Sequence, residues 1–225
     1  MTAKTFTLRS APKIDRRRAR TRQALMDAGR TLFAVRHVDG VSVDEIVAAA
    51  EVAKGSFYNH FADKDVFARE IAAMVRRQVE QSVNDANLGI EDPATHLARA
   101  VCVFVRFATE HRASAQVLWR LNAGATMADA PINRALRDNL LAGIRARRFK
   151  YVDIESAVLL VIGIVIVALR HALEERLVTT PKKIARNAAA GLLRAFGIQA
   201  AQAAQLATEA AGSIFSRTIH LERKS

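Results

Sequence analysis

Residues 54–61, with the sequence KGSFYNHF, carry the side chains best suited to bind another molecule. If this segment begins a helix, its first backbone amides have no intrahelical partner, and a lysine and a serine hydroxyl lie beside them. Such a group can bind a phosphate or the edge of a base, and Gly55 lets the ligand approach the backbone. Phe57 and Phe61 are four residues apart, so we expect both to anchor the segment in a core. The pattern indicates recognition of a polyanion.

Neighbouring segments predict the helices that position this one. Residues 17–35 repeat apolar side chains at helical spacing and should form the first helix. Ser42 and Glu45 match the capping box that starts a second helix. That helix should end near Glu51, and Lys54 follows after the three or four residues expected in a helix-turn-helix. Asp63 is well placed to cap a fourth helix.

As a whole, residues 25–67 resemble the N-terminal domain of the TetR family of regulators. The resemblance is carried by Ala28, Leu32 and Phe33, by residues 41–47 (VSVDEIV), and above all by residues 54–61 with Lys64 and Asp65 after them. It implies a helix-turn-helix that binds operator DNA, followed by a larger helical domain that responds to a small effector. The expected fold is therefore all-α, with about nine or ten helices in total.

The resemblance also implies which residues contact DNA. One group would contact the phosphate backbone, and it comprises Ser42, Tyr58, His60 and Lys64. A second group would face base edges in the major groove, and it comprises Lys54, Ser56 and Asn59, with Gly55 allowing the close approach. An ordinary solvated helix is the alternative interpretation of the same segment.

Two residues depart from the family pattern in the turn before this segment. Glu51 stands where the family usually has glycine, and a non-glycine residue in the left-handed conformation costs about 1 kcal/mol. Ala53 stands where a serine or threonine usually caps the next helix, and the missing cap costs about 1 kcal/mol as well. We therefore expect a less rigid turn than is usual in the family.

Charge is concentrated at the N-terminus. The chain has 225 residues and a net charge of +12, of which +7 falls in residues 4–22. Such a run is often only a solvated tail, but before a DNA-reading unit we interpret it as a basic arm. Arg17 and Arg18 are expected to contact the DNA backbone, with insertion into the minor groove as the alternative.

The charge pattern and the family resemblance together predict three parts of the chain. Residues 1–22 form a partly flexible basic arm, residues 23–66 form the helix-turn-helix domain, and residues 67–225 form a helical effector-binding and dimerisation domain. In the last part the patterns predict helices near 93–111, 114–124, 131–149, 153–176, 180–196 and 199–211.

An effector pocket in the larger domain could be lined by Phe104, Phe107, Trp119 and Met127. Aromatic residues and methionine at helical spacing are more often plain core, so core packing is the alternative interpretation. His96 and His111 are fifteen residues apart and have no nearby ligand partner, so we expect no metal and no cofactor. No arrangement typical of catalysis stands out, and we do not expect an enzyme.

Residues 157–169 are an uninterrupted apolar run of thirteen residues, which is too short to span a bilayer. We expect a helix that other elements cover on all sides. Ala185, Ala188, Ala189 and Gly191 would let a partner helix approach closely, with Leu192, Leu193 and Phe196 filling between. We therefore expect a homodimer through residues 153–176 and 180–196.

The remaining expectations concern location and rival functions. Cys102 is the only cysteine and lies among apolar residues, which suggests a buried thiol in a reducing, cytoplasmic compartment. We expect no membrane partner. The alternatives are a helical small-molecule-binding protein or a membrane-surface protein without sequence-specific DNA binding. An activator rather than a repressor is also compatible with the sequence.

Overall fold

The computed structural model describes residues 13–121, 126–130, 133–150 and 153–216. These residues form α1 (Lys13–Val35), a short 3-10 turn (Val38–Gly40), α2 (Val43–Ala49), α3 (Lys54–Tyr58), α4 (Lys64–Ala86), α5 (Pro93–Glu110), α6 (Arg112–Arg120), α7 (Arg134–Arg145), α8 (Ile154–Ala172), α9 (Pro181–Ala195) and α10 (Ala200–Ser216). All regular structure in the described ranges is helical, so the predicted all-α fold is confirmed.

The chain divides into two compact units, and the division falls between Ile71 and Ala72. This point lies inside α4, which continues without a break from Lys64 to Ala86. The sequence placed the division after residue 66, close to the start of the same helix. No loop marks the boundary, which explains why the sequence pattern could not locate it.

The arginines expected in an arm before the first helix lie within that helix. α1 begins at Lys13, and residues 16–20 are exposed positions in its first turns. The cause is local, since residues 13–24 contain neither glycine nor proline and are rich in arginine and alanine, which favour helix. Residues 1–12, which include the other part of the predicted arm, lie outside the described residues.

A cluster of four phenylalanines forms the core of the smaller unit. The Phe57, Phe61 and Phe67 rings have centroids 4.7–5.5 Å apart, and Phe33 lies 5.9 Å from Phe67. Such tilted and edge-to-face pairs add about 0.5–1.5 kcal/mol each to the burial of their area. Gly29 of α1 faces this cluster, and a Cβ added there would lie 2.4 Å from Cζ of Phe67. The glycine therefore allows α1 to pack closely against α4.

The predicted capping box at α2 is present. The Ser42 hydroxyl accepts a hydrogen bond from the Glu45 backbone N–H at 3.2 Å, and the Ser42 N–H donates to Glu45 Oε2 at 2.9 Å. The backbone N–H of Ser42 and the Arg36 guanidinium, which is 2.8 Å from Glu45 Oε1, lower the pKa of Glu45 to about 2. Asp63 caps α4 as predicted and accepts from the Val66 N–H at 2.7 Å.

In the larger unit, α9 packs against α5, α8 and α10. Its apolar residues Ala185, Ala189, Leu192 and Leu193 are fully buried in the same subunit. The sequence predicts that these residues, with Phe196, pack against a partner's helix; their burial within one subunit shows that this prediction is wrong for them. α5 and α10 cover the apolar stripe of α9. The exposed face of α9 therefore has mainly small and basic residues.

Three arginine side chains fix the ends of helices around α5, two through backbone carbonyls and one through an ion pair. Arg99 donates to the Ala86 carbonyl at the end of α4, and Arg106 donates to the Ile214 carbonyl near the end of α10 at 2.7 Å. At the start of α5, Arg148 binds both carboxylate oxygens of Asp92 at 2.7 and 3.2 Å. Burial raises the pKa of Asp92, but hydrogen bonds from Arg148 and Thr95 outweigh it and bring the pKa to about 2.

Several predicted helix ends differ from the observed ones. α7 ends at Arg145 rather than near 149, because residues 146–149 turn back and place the Phe149 ring against Gly143. α10 continues to Ser216 rather than ending near 211. Cys102 is fully buried as expected, and burial raises the pKa of its thiol to about 12.

Candidate nucleic-acid interface and ligand cavity

One side of the short helix α3 is buried in the protein, and the opposite side is exposed to solvent. Phe57 is fully buried, and Phe61, just after the helix, is 2% exposed. On the opposite side, Tyr58 is 55% exposed, and Gly55 and Asn59 are exposed as well. A Cβ added to Gly55 would meet nothing within 4 Å. The buried phenylalanines thus hold α3 so that Gly55, Tyr58 and Asn59 face solvent, and these three residues form its exposed rim.

Three of the predicted DNA contacts make hydrogen bonds within the protein. Lys54 Nζ lies 2.8 Å from Asp44 Oδ1, which raises the pKa of this lysine. The Ser42 hydroxyl belongs to the capping box of α2. Lys64 Nζ donates to the Val41 carbonyl at 3.0 Å and so ties the start of α4 to the segment before α2. Lys54 can bind a phosphate only if it gives up or shares its contact with Asp44, and Lys64 only if it gives up or shares its contact with the Val41 carbonyl.

His60 connects α3 electrostatically with the basic start of α1. Burial, together with the positive charges of Arg18 and Arg22, lowers the pKa of His60 below its ordinary value. The Arg22 guanidinium lies 5.3 Å from the centroid of the Phe61 ring and also pairs with Glu70. The arginine-rich turns of α1 therefore lie beside the end of α3. Arg17 lies in the same exposed part of α1.

The turn between α2 and α3 has both expected departures. Glu51 has a φ of +55°, in the left-handed region. Ala53 is the N-cap of α3, and no side chain caps the helix there. The Ser56 N–H instead bonds to the Ala53 carbonyl at 2.8 Å. The backbone thus adopts the usual turn without the two residue types that stabilise it.

A cavity of about 150 Å³ lies in the larger unit among α4, α5, α7 and α8. Most of its walls are apolar, and they include Leu97, Val101, Phe104, Val161, Val165 and Ile166. Its polar lining comprises Arg76, Glu80, Asn84, His96 and Asn139. Arg76 Nε and Glu80 Oε1 form an ion pair at 2.8 Å.

Of the four residues predicted to line a pocket, the cavity includes only Phe104. Phe107 is buried elsewhere, with its ring 5.0 Å from that of His111. Trp119 is 41% exposed and borders a separate surface depression, where its ring lies 5.9 Å from the Arg170 guanidinium. Met127 is 58% exposed and lines neither site. The structure therefore does not bring these four residues together.

The polar residues of the cavity were not predicted from the sequence. Arg76, Glu80 and Val83 recur at i, i+4 and i+7, and His96, Ala100 and Phe104 recur at i, i+4 and i+8. A polar residue that interrupts the apolar face of an amphipathic helix was the available signal. This signal was not sufficient, because nothing in the sequence shows that these faces of four helices meet in one place.

The fold and the two sites define a class of protein: an all-α regulator with a DNA-binding helix-turn-helix unit and a second helical unit that contains a cavity. Residues 25–71 match the model for bacterial regulatory proteins of the tetR family, and residues 92–209 match the tetracyclin repressor-like C-terminal domain. The second match covers more than half of the chain. The chain therefore belongs to the TetR family, a family of regulators rather than of enzymes.

Individual relatives agree with this assignment. The transcriptional repressor DhaR of Mycobacterium sp. (strain GP1) is 39% identical over 75 residues, which are 32% of this chain and 38% of that protein. The match thus spans well under half of the curated repressor. The structure of RolR in complex with resorcinol is 27% identical with a TM-score of 0.60, over 86% of this chain and 96% of that one. A gamma-butyrolactone receptor, ArpA-like, has a TM-score of 0.63 at 20% identity, over 89% of this chain and 99% of that one, and supports the fold alone.

Proposed function

We propose that this protein is a ligand-responsive repressor that binds a palindromic operator as a homodimer and leaves it when a small molecule fills the cavity. The observation that carries the proposal is the exposed rim of α3, anchored by the buried Phe57 and lying beside the arginines of α1. The repressor DhaR is 39% identical over 75 residues, and the resorcinol-bound RolR aligns with 86% of the chain. A regulator of this kind works on DNA in the cytoplasm and needs no catalytic activity.

In the proposed complex, α3 enters the major groove. Tyr58 and His60 contact phosphates, and Asn59 and Ser56 face base edges, where asparagine pairs well with adenine. Lys54 exchanges Asp44 for a phosphate or a guanine. The exposed arginines Arg17 and Arg18 neutralise backbone phosphates from a rigid helix, which suits them better to the backbone than to the minor groove.

The homodimer is proposed from the exposed apolar face of α8. Leu159, Leu160 and Val167 are 49%, 37% and 64% exposed, and Gly163 lies between them on the same face. The apolar run was expected to be too short to span a bilayer, but by length and composition alone the whole of α8 could cross a membrane. A third of its most apolar stretch is buried within the subunit. A second subunit would cover the rest, with the exposed small residues of α9 beside it. Two recognition helices would then meet successive major grooves about 34–36 Å apart.

The effector is proposed to act through α4. This helix supplies Arg76, Glu80 and Val83 to the cavity, and its first turn carries Lys64. A ligand that favours one arrangement of α4 over another changes the affinity for DNA by the difference in its binding free energy, commonly about 1–3 kcal/mol.

A gel-shift and fluorescence-anisotropy series on duplex DNA tests the DNA-binding part. We expect wild-type protein to bind with a strong dependence on salt, and Tyr58→Ala to weaken binding to every sequence. Gln205→Ala, a change at an exposed position of α10, is the control and should leave binding unchanged. A protein that retains no duplex at low ionic strength would refute the proposed function.

The dimer is tested separately by light scattering coupled to gel filtration. We expect Val167→Arg to give monomers, because it places a charge within the proposed apolar interface. Leu88→Arg is the matched control, since Leu88 is 79% exposed but lies outside α8. If both variants remain dimeric, the interface is elsewhere.

A further inference from the structure

An ion pair joins the two helices of the helix-turn-helix at the edge where α3 begins. Lys54 is the first residue of α3, and its Nζ lies 2.8 Å from Oδ1 and 3.1 Å from Oδ2 of Asp44 in the first turn of α2. The two side chains are 57% and 68% exposed. Because these groups are in direct contact, any DNA that meets the start of α3 also meets the carboxylate of Asp44.

The capping of α2 does not depend on Asp44. Ser42 and Glu45 form the capping box, and Arg36 pairs with Glu45. Among the residues that the structure describes, the ion pair and the hydrogen bond made by the Asp44 carboxylate are both with Lys54. An ion pair that is exposed to this degree contributes little to stability. Asp44 therefore matters more for the charge that the protein presents to DNA than for folding.

The pair cannot strengthen binding to DNA of arbitrary sequence. Such binding comes from lysines and arginines that neutralise phosphates and release counterions. If Lys54 stays on Asp44, the pair has no net charge. If Lys54 moves to a phosphate, it leaves the Asp44 carboxylate unpaired beside the same phosphate backbone, where like charges repel. In both cases this lysine adds almost nothing to sequence-independent binding.

A guanine in front of Lys54 leaves the pair intact. An ammonium group has three N–H donors, and O6 and N7 of guanine are acceptors in the major groove. Lys54 can therefore donate to Asp44 and to guanine at the same time, and no charge is left unpaired. Because a lysine side chain has a long, flexible stem, the carboxylate also restricts where its ammonium group can lie.

We propose that Asp44 is a specificity-determining residue, which positions Lys54 on base edges and keeps it from phosphates, so that this lysine strengthens binding only where a guanine faces it. The role rests on the proposed function, because it requires that α3 meets DNA. Lys54 makes the contact with the base, and Asp44 acts through Lys54.

Fluorescence anisotropy of the full chain on a duplex of randomised sequence, over a series of salt concentrations, tests the proposal. We expect Asp44→Asn to bind this duplex about threefold more tightly and to steepen the slope of log affinity against log salt by about one, because Lys54 is released to a phosphate. Since the expected result is tighter binding, loss of the fold cannot produce it. Lys54→Gln should bind this duplex as well as the wild-type protein does. An unchanged slope in Asp44→Asn would overturn the proposal.

Two further variants separate positioning from the simple loss of a negative charge. Glu51→Gln is the matched control, because it removes the same charge from an exposed position in the turn before α3, and it should leave the slope unchanged. In the double variant Asp44→Asn/Lys54→Gln, the effect of Asp44→Asn should fall to that of the control, since no lysine is released. If Asp44→Asn has the same effect with and without Lys54, Asp44 acts as an ordinary charge and the proposal fails.

Selection from a library of random duplexes measures specificity itself. The duplex most enriched by the wild-type protein is compared with the randomised duplex. We expect Asp44→Asn to reduce the ratio of the two affinities by about threefold, because only the randomised duplex gains a phosphate contact. An unchanged ratio would overturn the proposal.

The wild-type protein separates this inference from the proposed function. If it binds no duplex at low ionic strength, the proposed function fails. If it binds duplex DNA and Asp44→Asn behaves like the wild type, only the role of Asp44 fails and the proposed function stands.

Discussion

Two glycines in the smaller unit should respond in opposite ways to the same substitution. Gly29 of α1 faces Phe67 and Ile71, and a Cβ there would lie 2.4–2.5 Å from their side-chain atoms. Both side chains are fully buried, so neither can move into solvent. Gly55 of α3 has nothing within 4 Å of an added Cβ. Alanine is therefore an overpacking change at Gly29 and a change of exposed backbone at Gly55.

The magnitudes follow from these distances. Carbon atoms pack best at about 3.5–4.0 Å, so the overlap at Gly29 exceeds about 1 Å. Overpacking of this kind costs about 1–3 kcal/mol, and the higher helix propensity of alanine returns about 0.5–1 kcal/mol. We expect Gly29→Ala to reduce the free energy of unfolding of this unit by about 1–2 kcal/mol. Gly55→Ala should leave it unchanged or raise it by less than about 1 kcal/mol.

Hydrogen exchange of the α1 amides, followed by mass spectrometry, measures this stability separately from that of the larger unit. The DNA affinity of both variants is measured at one salt concentration and at a temperature where both are folded. We expect Gly55→Ala to bind DNA about tenfold more weakly, because its methyl group would stand between the backbone and the ligand. Unchanged exchange in Gly29→Ala would refute the packing argument. Full DNA affinity in Gly55→Ala would show that this end of α3 does not approach DNA.

Three further predictions concern the same unit. Lys64→Ala should reduce the slope of log affinity against log salt by about one, as measured by anisotropy, whereas Lys183→Ala on α9 should not; equal slopes would exclude a phosphate contact. Ala53→Ser should add a cap at α3 and stabilise the unit by about 1 kcal/mol in urea unfolding, and no gain would mean that this turn is already satisfied. Because the folded protein lowers the pKa of His60, the unit should lose stability as the pH falls below about 6.5. A nearby phosphate favours the imidazolium, so DNA binding should tighten over the same pH range. His60→Gln should flatten both pH profiles, and unchanged profiles would contradict this role.

Local chemistry made much of the smaller unit predictable. Ser42 and Glu45 specify the start of α2 through contacts three residues apart, and Asp63 specifies the start of α4 in the same way. The left-handed conformation of Glu51 was also foreseen from the family resemblance, because the family usually has glycine at that position. Such features depend on neighbours in the chain, so the sequence alone contains the information.

Features that depend on distant contacts were predicted less well. The apolar stripe of α9 was assigned to a partner subunit, but α5 and α10 cover it, and the pattern of a buried helix is the same in either case. α7 was predicted too long because the return of Phe149 to Gly143 is a tertiary contact. The polar residues of the cavity were not foreseen, since they come together only where four helices meet.

Selection from a library of random duplexes, followed by sequencing of the bound fraction, tests the central claim most directly. We predict enrichment of a palindromic site with half-sites about one helical turn apart, and a changed base preference when Asn59 is replaced by alanine. A bound fraction without any enriched sequence, or the same enriched sequence with and without Asn59, would contradict the assignment of α3 as the reader of DNA.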